Sequence, residues 1–287
     1  MIELKNTRAL KDRIFKGFVV IFSCIAITPI VLIIYELVIK GYRQINLSFF
    51  TEVAPNSWDA MTAVHNGEVI PGGILNGITG TLLMVSLASI IAIPIGLITG
   101  IFLYENKETR YAGIVRSVSD ILQGSPSIVL GIIGYFWIVK SVTNGFSALA
   151  GSVALAIMML PLIIRSTEET LKMVPQSIKE AGLALGVPYH KIILRVLIPT
   201  SFSGLVTGIL LALSRVLGET APLLITALGS PMVNLNIDKP VSAVPLLIWE
   251  FYNDPNMVGL IWSSSLFLVL FILTLNLLSK KLAPKRN

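Results

Sequence analysis

An arginine and a glutamate, Arg215 and Glu219, stand four residues apart in ALSRVLGETAPLL, inside a long apolar run. On a continuous helix that spacing puts both on one face, close enough to pair. Arginine presents a planar fork of donors suited to oxyanions and keeps its charge when buried. A neighbouring carboxylate accepts from an oxyanion that still carries protons and repels one that carries none. Two uses fit the pair: a neutralised salt bridge that fixes helix register, or a contact for an anion on its way through the membrane. A second stretch, LQGSPSIVLGI, places Gln123, Ser125 and Ser127 at the start of another apolar run. Hydroxyls and free backbone N–H groups at a helix start suit an anion, although serine and proline also simply begin helices.

The elements that carry these residues follow from composition. Of 287 residues, 54% are apolar and 13% charged, against about 25% charged in an ordinary soluble chain. Apolar runs long enough to cross about 30 Å of hydrocarbon recur along the chain, so the expected fold is an all-α membrane protein with six spans. They are read at residues 17–39, 80–103, 127–142, 148–164, 201–228 and 258–278. The first is too long for the core of a signal peptide and no A-x-A site follows it. Lys40, Arg43, Lys140 and Lys239 lie on one set of loops, Arg215 lies inside a span, and every other Lys and Arg falls on the opposite set. That asymmetry predicts cytoplasmic termini. The net charge of +6 therefore reads as orientation, with no nucleic acid implied. The expected organisation is a floppy basic tail (1–16), one membrane domain (17–279) with a cytoplasmic loop at 165–200, and a second basic tail (280–287). Two uncharged outer segments, 41–79 and 229–257, read as interfacial helices or as a docking surface.

Several chemistries have no residues to carry them. Cys24, His65 and His190 lack metal-ligand spacing, and no metal site is expected. No nucleophile–base set lies within the spans, so no enzyme is expected. Without a Gly-Lys dipeptide there is no phosphate-cradling loop, so this chain holds no ATP. Three further features read as structural. Glu36 snorkels to the interface, Pro94 and Pro161 kink their helices, and Arg116 with Asp120 forms an exposed pair.

Gly204, Gly208 and Ala212 step by four residues toward Arg215, a ridge that lets another helix approach closely. Before it, EAGLALGVPYHKIILRVLIP reads as a helix, a break at Gly186 and Pro188, and a second helix with Ile192, Ile193, Val196 and Leu197 on one face. Such a loop either lies on headgroups or inserts into a partner's groove. This stretch resembles the coupling loop of bacterial ABC importer permeases, whose pattern is Glu-Ala-Ala, three residues, Gly, nine residues, Ile, one residue, Leu-Pro. Glu180, Ala181, Gly186 and Pro199 match; Gly182, Val196 and Ile198 replace small or aliphatic residues. The resemblance implies that the loop seats in a cytoplasmic ATPase and transmits its motion.

SRVLGETAPLL and LQGSPSIVLGI are similar to the permeases of the phosphate-specific ABC importer, from about Gly72 to the last span. The resemblance implies a type I importer permease in the cell membrane, with Arg215 and Glu219 as the pathway charges. It also implies a second, homologous permease, a pair of ATP-binding subunits holding ATP and Mg, an external phosphate-binding protein, and contact with membrane lipid. A proton-coupled secondary anion carrier accounts for the charge pair but not for the loop. An ABC permease for molybdate, tungstate or sulfate accounts for the loop but fits the two motifs less well.

Overall fold

The structure, a computed structural model, describes residues 2–282, nearly all helical. In chain order the helices are α1 (Ile2–Gly41), α2 (Leu47–Thr51), α3 (Ser57–Asn66), α4 (Leu75–Glu105), α5 (Arg110–Gly124), α6 (Ser127–Gly134) and α7 (Ala148–Lys172). They continue as α8 (Gln176–Ala184), α9 (Tyr189–Ile192), α10 (Ile198–Val216), α11 (Ala221–Leu224), α12 (Val244–Tyr252) and α13 (Val258–Leu282). Among the described residues the nearest thing to a strand is an isolated bridge between Leu228 and Val241. Five helical stretches are long and apolar enough to cross a membrane, and a bent pair makes a sixth.

Local chemistry sets the boundaries. The side chains of Asn46, Asn56, Thr109 and Ser147 accept from backbone N–H groups at the starts of α2, α3, α5 and α7, filling donors that a helix start leaves open. Gly67 closes α3 at φ +71°. The expected fourth span begins where α7 begins, at Ala148. Pro94 and Pro161 lie inside unbroken α4 and α7.

Three expectations need correction. Residues 2–16, expected as a loose tail, are the first turns of α1. At the other end Lys280 and Lys281 are in the last turn of α13, while Lys285 and Arg286 lie outside the described residues. The third span starts at Ser127 as expected and runs through α6 and a π turn to Val139; α5 meets it at 107°. Pro126 marks that bend, because it donates no N–H and holds Ser125 extended at ψ 140°. The fifth span is not one rod over 201–228. α10 stops at Val216 and α11 starts at Ala221, because Pro222 cannot sit over the carbonyl of Gly218 in a continuous helix.

Helix α7 is the centre of the bundle. Gly96 and Gly100 of α4 lie against its Ile163 and Thr167, and Gly204 and Gly208 of α10 against its Thr170 and Ser166. Between these faces sits the main core, with Met84, Leu155, Met159, Ala212 and Leu223. A smaller core, at the end of the bundle away from α8, joins Phe49 and Ile74 to Leu247 and Phe251 of α12. Asn76 and Thr81 of α4 pin the segment leading into α12, through Ser230 O at 2.9 Å and Val244 N at 3.0 Å. Helix α1 stands apart: Phe15 through Ile34 is exposed almost throughout, and Gly41 anchors its end by accepting from Ser263 Oγ at 2.6 Å.

Arg116 does not pair with Asp120 as expected. It reaches Glu168 of α7, with Nη2 and Nε at 2.9 and 3.0 Å from one carboxylate oxygen. Its other donors meet the carbonyls of Leu103 and Lys107, both at 3.1 Å. Lys172 adds a contact at 2.8 Å and Arg165 one at 3.6 Å, and the Glu168 side chain is 0% exposed. One guanidinium thus ties α5 to the ends of α4 and α7. Replacing Glu168 with Ala takes the carboxylate from Arg116 and Lys172, whose side chains are partly exposed, a loss of about 1–3 kcal/mol. Thermal unfolding of the purified protein in detergent is expected to show a lowered midpoint, with Arg116→Ala falling in parallel.

Candidate functional site

Arg215 lies in the last turn of α10, where the helix dipole favours a cation. Glu219 lies past the helix end, not on the shared helical face that the spacing predicts. The two still approach: Arg215 Nε is 3.9 Å from Glu219 Oε1, with side chains 38% and 19% exposed. That distance is an ion pair but too long for a hydrogen bond. Among the described residues the guanidinium has no hydrogen-bond partner, so its donor fork is open.

Depth follows from helix register. The ridge expected at Gly204 and Gly208 packs against α7 with the two helices antiparallel: Gly204 faces Thr170 and Gly208 faces Ser166. Ala212 and Val216 then join the core that contains Met159 and Ile163. The Arg215 turn therefore stands level with the middle of α7.

The serine loop leads into a helix that touches the segment after the break. Helix α6 lies beside α11, Gly131 against Pro222 and Gly134 against Thr226, and Ser127 starts α6 one turn before that contact. Gln123 is exposed and Ser127 half-buried. Ser125 caps the end of α5 and gives its hydroxyl proton to Ile121 O at 2.8 Å, leaving only its lone pairs free.

The loop after α7 has the expected form. Helix α8 carries Glu180, Ala181 and Gly182; Gly186 turns the chain at φ +73°; Pro188 precedes α9; a π turn over Ile193–Leu197 leads into α10, where Pro199 sits in the first turn. The second half is anchored, with Ile192 and Leu197 buried against Tyr104, Leu171 and Val174. The first half is not. Helix α8 buries no residue, and Leu185 just beyond it is 82% exposed.

At the other end, Ser57, Ser230, Glu250 and Asp254 line a recess of about 310 Å³. The Ser57 hydroxyl and the Asn256 amide hold the Asp254 carboxyl below the usual range, and burial pushes that of Glu250 up.

A bundle of broken and unbroken spans with an exposed helix–turn–helix between α7 and α10 is shared with known transporters. The family model of the binding-protein-dependent transport system inner membrane component matches residues 92–287. The chain belongs to that family. A phosphate transport system permease protein PstA of Yersinia pestis is 36% identical over 258 residues, 89% of this chain and 84% of the relative. The PstA of Xylella fastidiosa (strain 9a5c) is 38% identical over 244 residues, 84% of this chain and 81% of the relative. Among solved structures, an inward-facing MetNI methionine ABC transporter superposes at TM-score 0.61 with 21% identity, over 72% of this chain and 93% of that one. It shares the fold. The protein is thus a multi-pass inner-membrane permease of ABC importer architecture.

Sequence reasoning missed Glu168, Asn76 and Thr81. Asn76, Thr81 and the Arg116 partner of Glu168 pair across long stretches of chain that no local spacing marks, whereas Arg165 and Lys172, three and four residues from Glu168, were a signal that could have found it. The α6–α11 contact has a clean test. A side chain at Gly131 would meet Pro222 Cα at 2.6 Å, whereas Gly124 faces open space. Gly131→Val is expected to destabilise by about 1–3 kcal/mol and to depress transport, with Gly124→Ala near wild type in both; melting and uptake measured side by side decide it.

Proposed function

We propose that this permease is the subunit that passes inorganic phosphate into the cytoplasm by alternating access, driven by ATP hydrolysis on separate subunits. The open guanidinium of Arg215 at mid-bundle carries the reading. A cation in that position costs about 2.5–3.5 kcal/mol, and the loose contact with Glu219 leaves its donors free for an oxyanion. A guanidinium serving only to fix register would be expected to close its hydrogen bonds, as Arg116 does on Glu168, Lys107 and Leu103. The names of the relatives point to phosphate. So does the chemistry of the pair, since Glu219 accepts from a protonated phosphate and repels sulfate. Ser127 and Gln123, at the head of α6, are in this reading the next polar groups to meet an anion released by Arg215.

In this reading α8 faces the cytoplasm, and both chain ends lie there too. Its unburied surface, with Glu180, Ala181 and Gly182 before the Gly186 turn, seats in an ATP-binding subunit of the PstB type, which holds ATP and Mg. A second permease of the PstC type completes the pathway. The recess of Glu250 and Asp254 belongs to the external face that receives a PstS-type phosphate-binding protein. The all-round exposure of α1 suits lipid or the second permease.

Two substitutions test the pathway in liposomes carrying the complete transporter. Arg215→Ala is expected to lower phosphate uptake at least about tenfold, the scale of a lost charged hydrogen bond. Glu219→Gln is expected to keep phosphate uptake measurable while sulfate becomes a better competitor. Uptake unchanged in the Arg215 variant would remove the proposed role.

A further inference from the structure

Helix α8 touches the bundle at few points. Gly182 lies against Ile192, where an added Cβ would be 3.0 Å from Cδ1, and this joins α8 to its own loop. One polar side chain reaches a span: Lys179 Nζ is 3.5 Å from Glu105 Oε2, at the last residue of α4. No other ion pair or side-chain hydrogen bond links α8 to another helix among the described residues. The same ammonium lies over the rings of Tyr189 at 4.7 Å and Tyr104 at 5.7 Å. Tyr104 is itself buried in the cluster that anchors Ile192 and Leu197.

Around this contact there is space. A notch of about 420 Å³ separates α8 from the turn after α4, lined by Glu105, Lys107, Gln176, Lys179, Glu180 and Leu183, with others. Glu105 is 15% exposed, and its second oxygen, Oε1, is buried without a hydrogen-bond partner. Lys179 is the one cation within 4 Å of that carboxylate among the described residues, and Lys107 lines the same notch. The lysine stem is flexible, and the two aromatic faces offer the ammonium further favourable positions. The contact therefore tolerates movement of α8 without parting.

We propose that Lys179 and Glu105 form a transmission contact, a pair of positioning residues through which displacement of α8 reaches span α4. The inference rests on the reading of α8 as the helix engaged by the ATPase. It gives α8 two outputs. One runs through Ile192 and the π turn into α10, which carries Arg215. The other runs through Glu105 into α4. Both helices pack by their glycines on α7, so a push on α8 moves the two neighbours of α7 together. Loss of the second output uncouples hydrolysis from transport and leaves assembly intact.

The test uses the complete transporter in liposomes, and the readout is phosphate taken up per ATP hydrolysed. Lys179→Met and Glu105→Gln are each expected to lower that ratio about threefold to fivefold, the scale of a partly buried ion pair, with the ATPase subunits still co-purifying. Lys179→Arg is expected to keep it. The charge-reversed double variant, Glu105→Lys with Lys179→Glu, is expected to recover most of the loss. An unchanged ratio in both single variants overturns the proposal, and so does loss of the ATPase subunits from them or a double variant worse than either. A cysteine at Leu185, cross-linked to the ATP-binding subunit, separates the two levels. A cross-link with an unchanged ratio removes the transmission role alone, whereas absence of any cross-link removes the coupling reading and this inference with it.

Discussion

Close backbone approach onto α7 is the constraint from which the rest of the architecture follows. Lipid tails are as apolar as leucine, so spans gain little by hiding hydrocarbon from each other and associate through fit. Gly96 and Gly100 let α4 settle on Ile163 and Thr167, and Gly204 and Gly208 let α10 settle on the neighbouring face at Ser166 and Thr170. No methyl group fits at these four positions without displacing α7. With both neighbours fixed in register, the depth of every other feature is determined, including the turn that carries Arg215.

Two ionic groups survive in this apolar setting, and their geometries differ in kind. Around Glu168, one carboxylate oxygen takes its donors at 2.8–3.0 Å while the other is buried without a hydrogen-bond partner, and Arg116 places its remaining donors on carbonyls at the end of α4 and just beyond it. The Arg116 guanidinium thus has little left to offer a ligand, and its effect is to hold three helices at one point. At Arg215 the nearest carboxylate oxygen is 3.9 Å away and no hydrogen bond is closed. A cation at mid-bundle is left here without a tight partner. In the proposed function an oxyanion is that partner, the group a guanidinium fits best.

Much of the fold was legible in the chain because helices announce themselves locally. The apolar run after Ser147, the turn at Gly186 and Pro188, and Pro199 at the head of α10 all stand where the sequence puts them. The break after α10 was less visible. Hydropathy continues across Pro222, so the fifth span reads as a rod, and a proline alone does not announce a break, since Pro94 and Pro161 lie inside unbroken helices. The Arg116–Glu168 cluster was illegible for another reason. Its partners are separated by most of three helices, and Asp120 offered a local alternative at the right spacing. The Arg215–Glu219 ion pair was marked by its spacing, yet the helix that the spacing presumes ends between its two members.

That ending matters for mechanism. Arg215 belongs to α10, a rod of 19 residues, about 28 Å long, whose far end continues through the π turn into the loop bearing α8. Glu219 belongs to the segment beyond the break, which leads into α11 and is held against α6 by Gly131 and Pro222. The two charges therefore ride on different bodies. Any tilt of α10 driven from its loop end changes their separation, whereas on an unbroken helix the separation would be constant. A loose pair across a joint presents its cation to an anion in one position and covers it in another. This is the behaviour that the proposed alternating access requires of a site in mid-bundle, and it is available because Gly218 and Pro222 stand where they do.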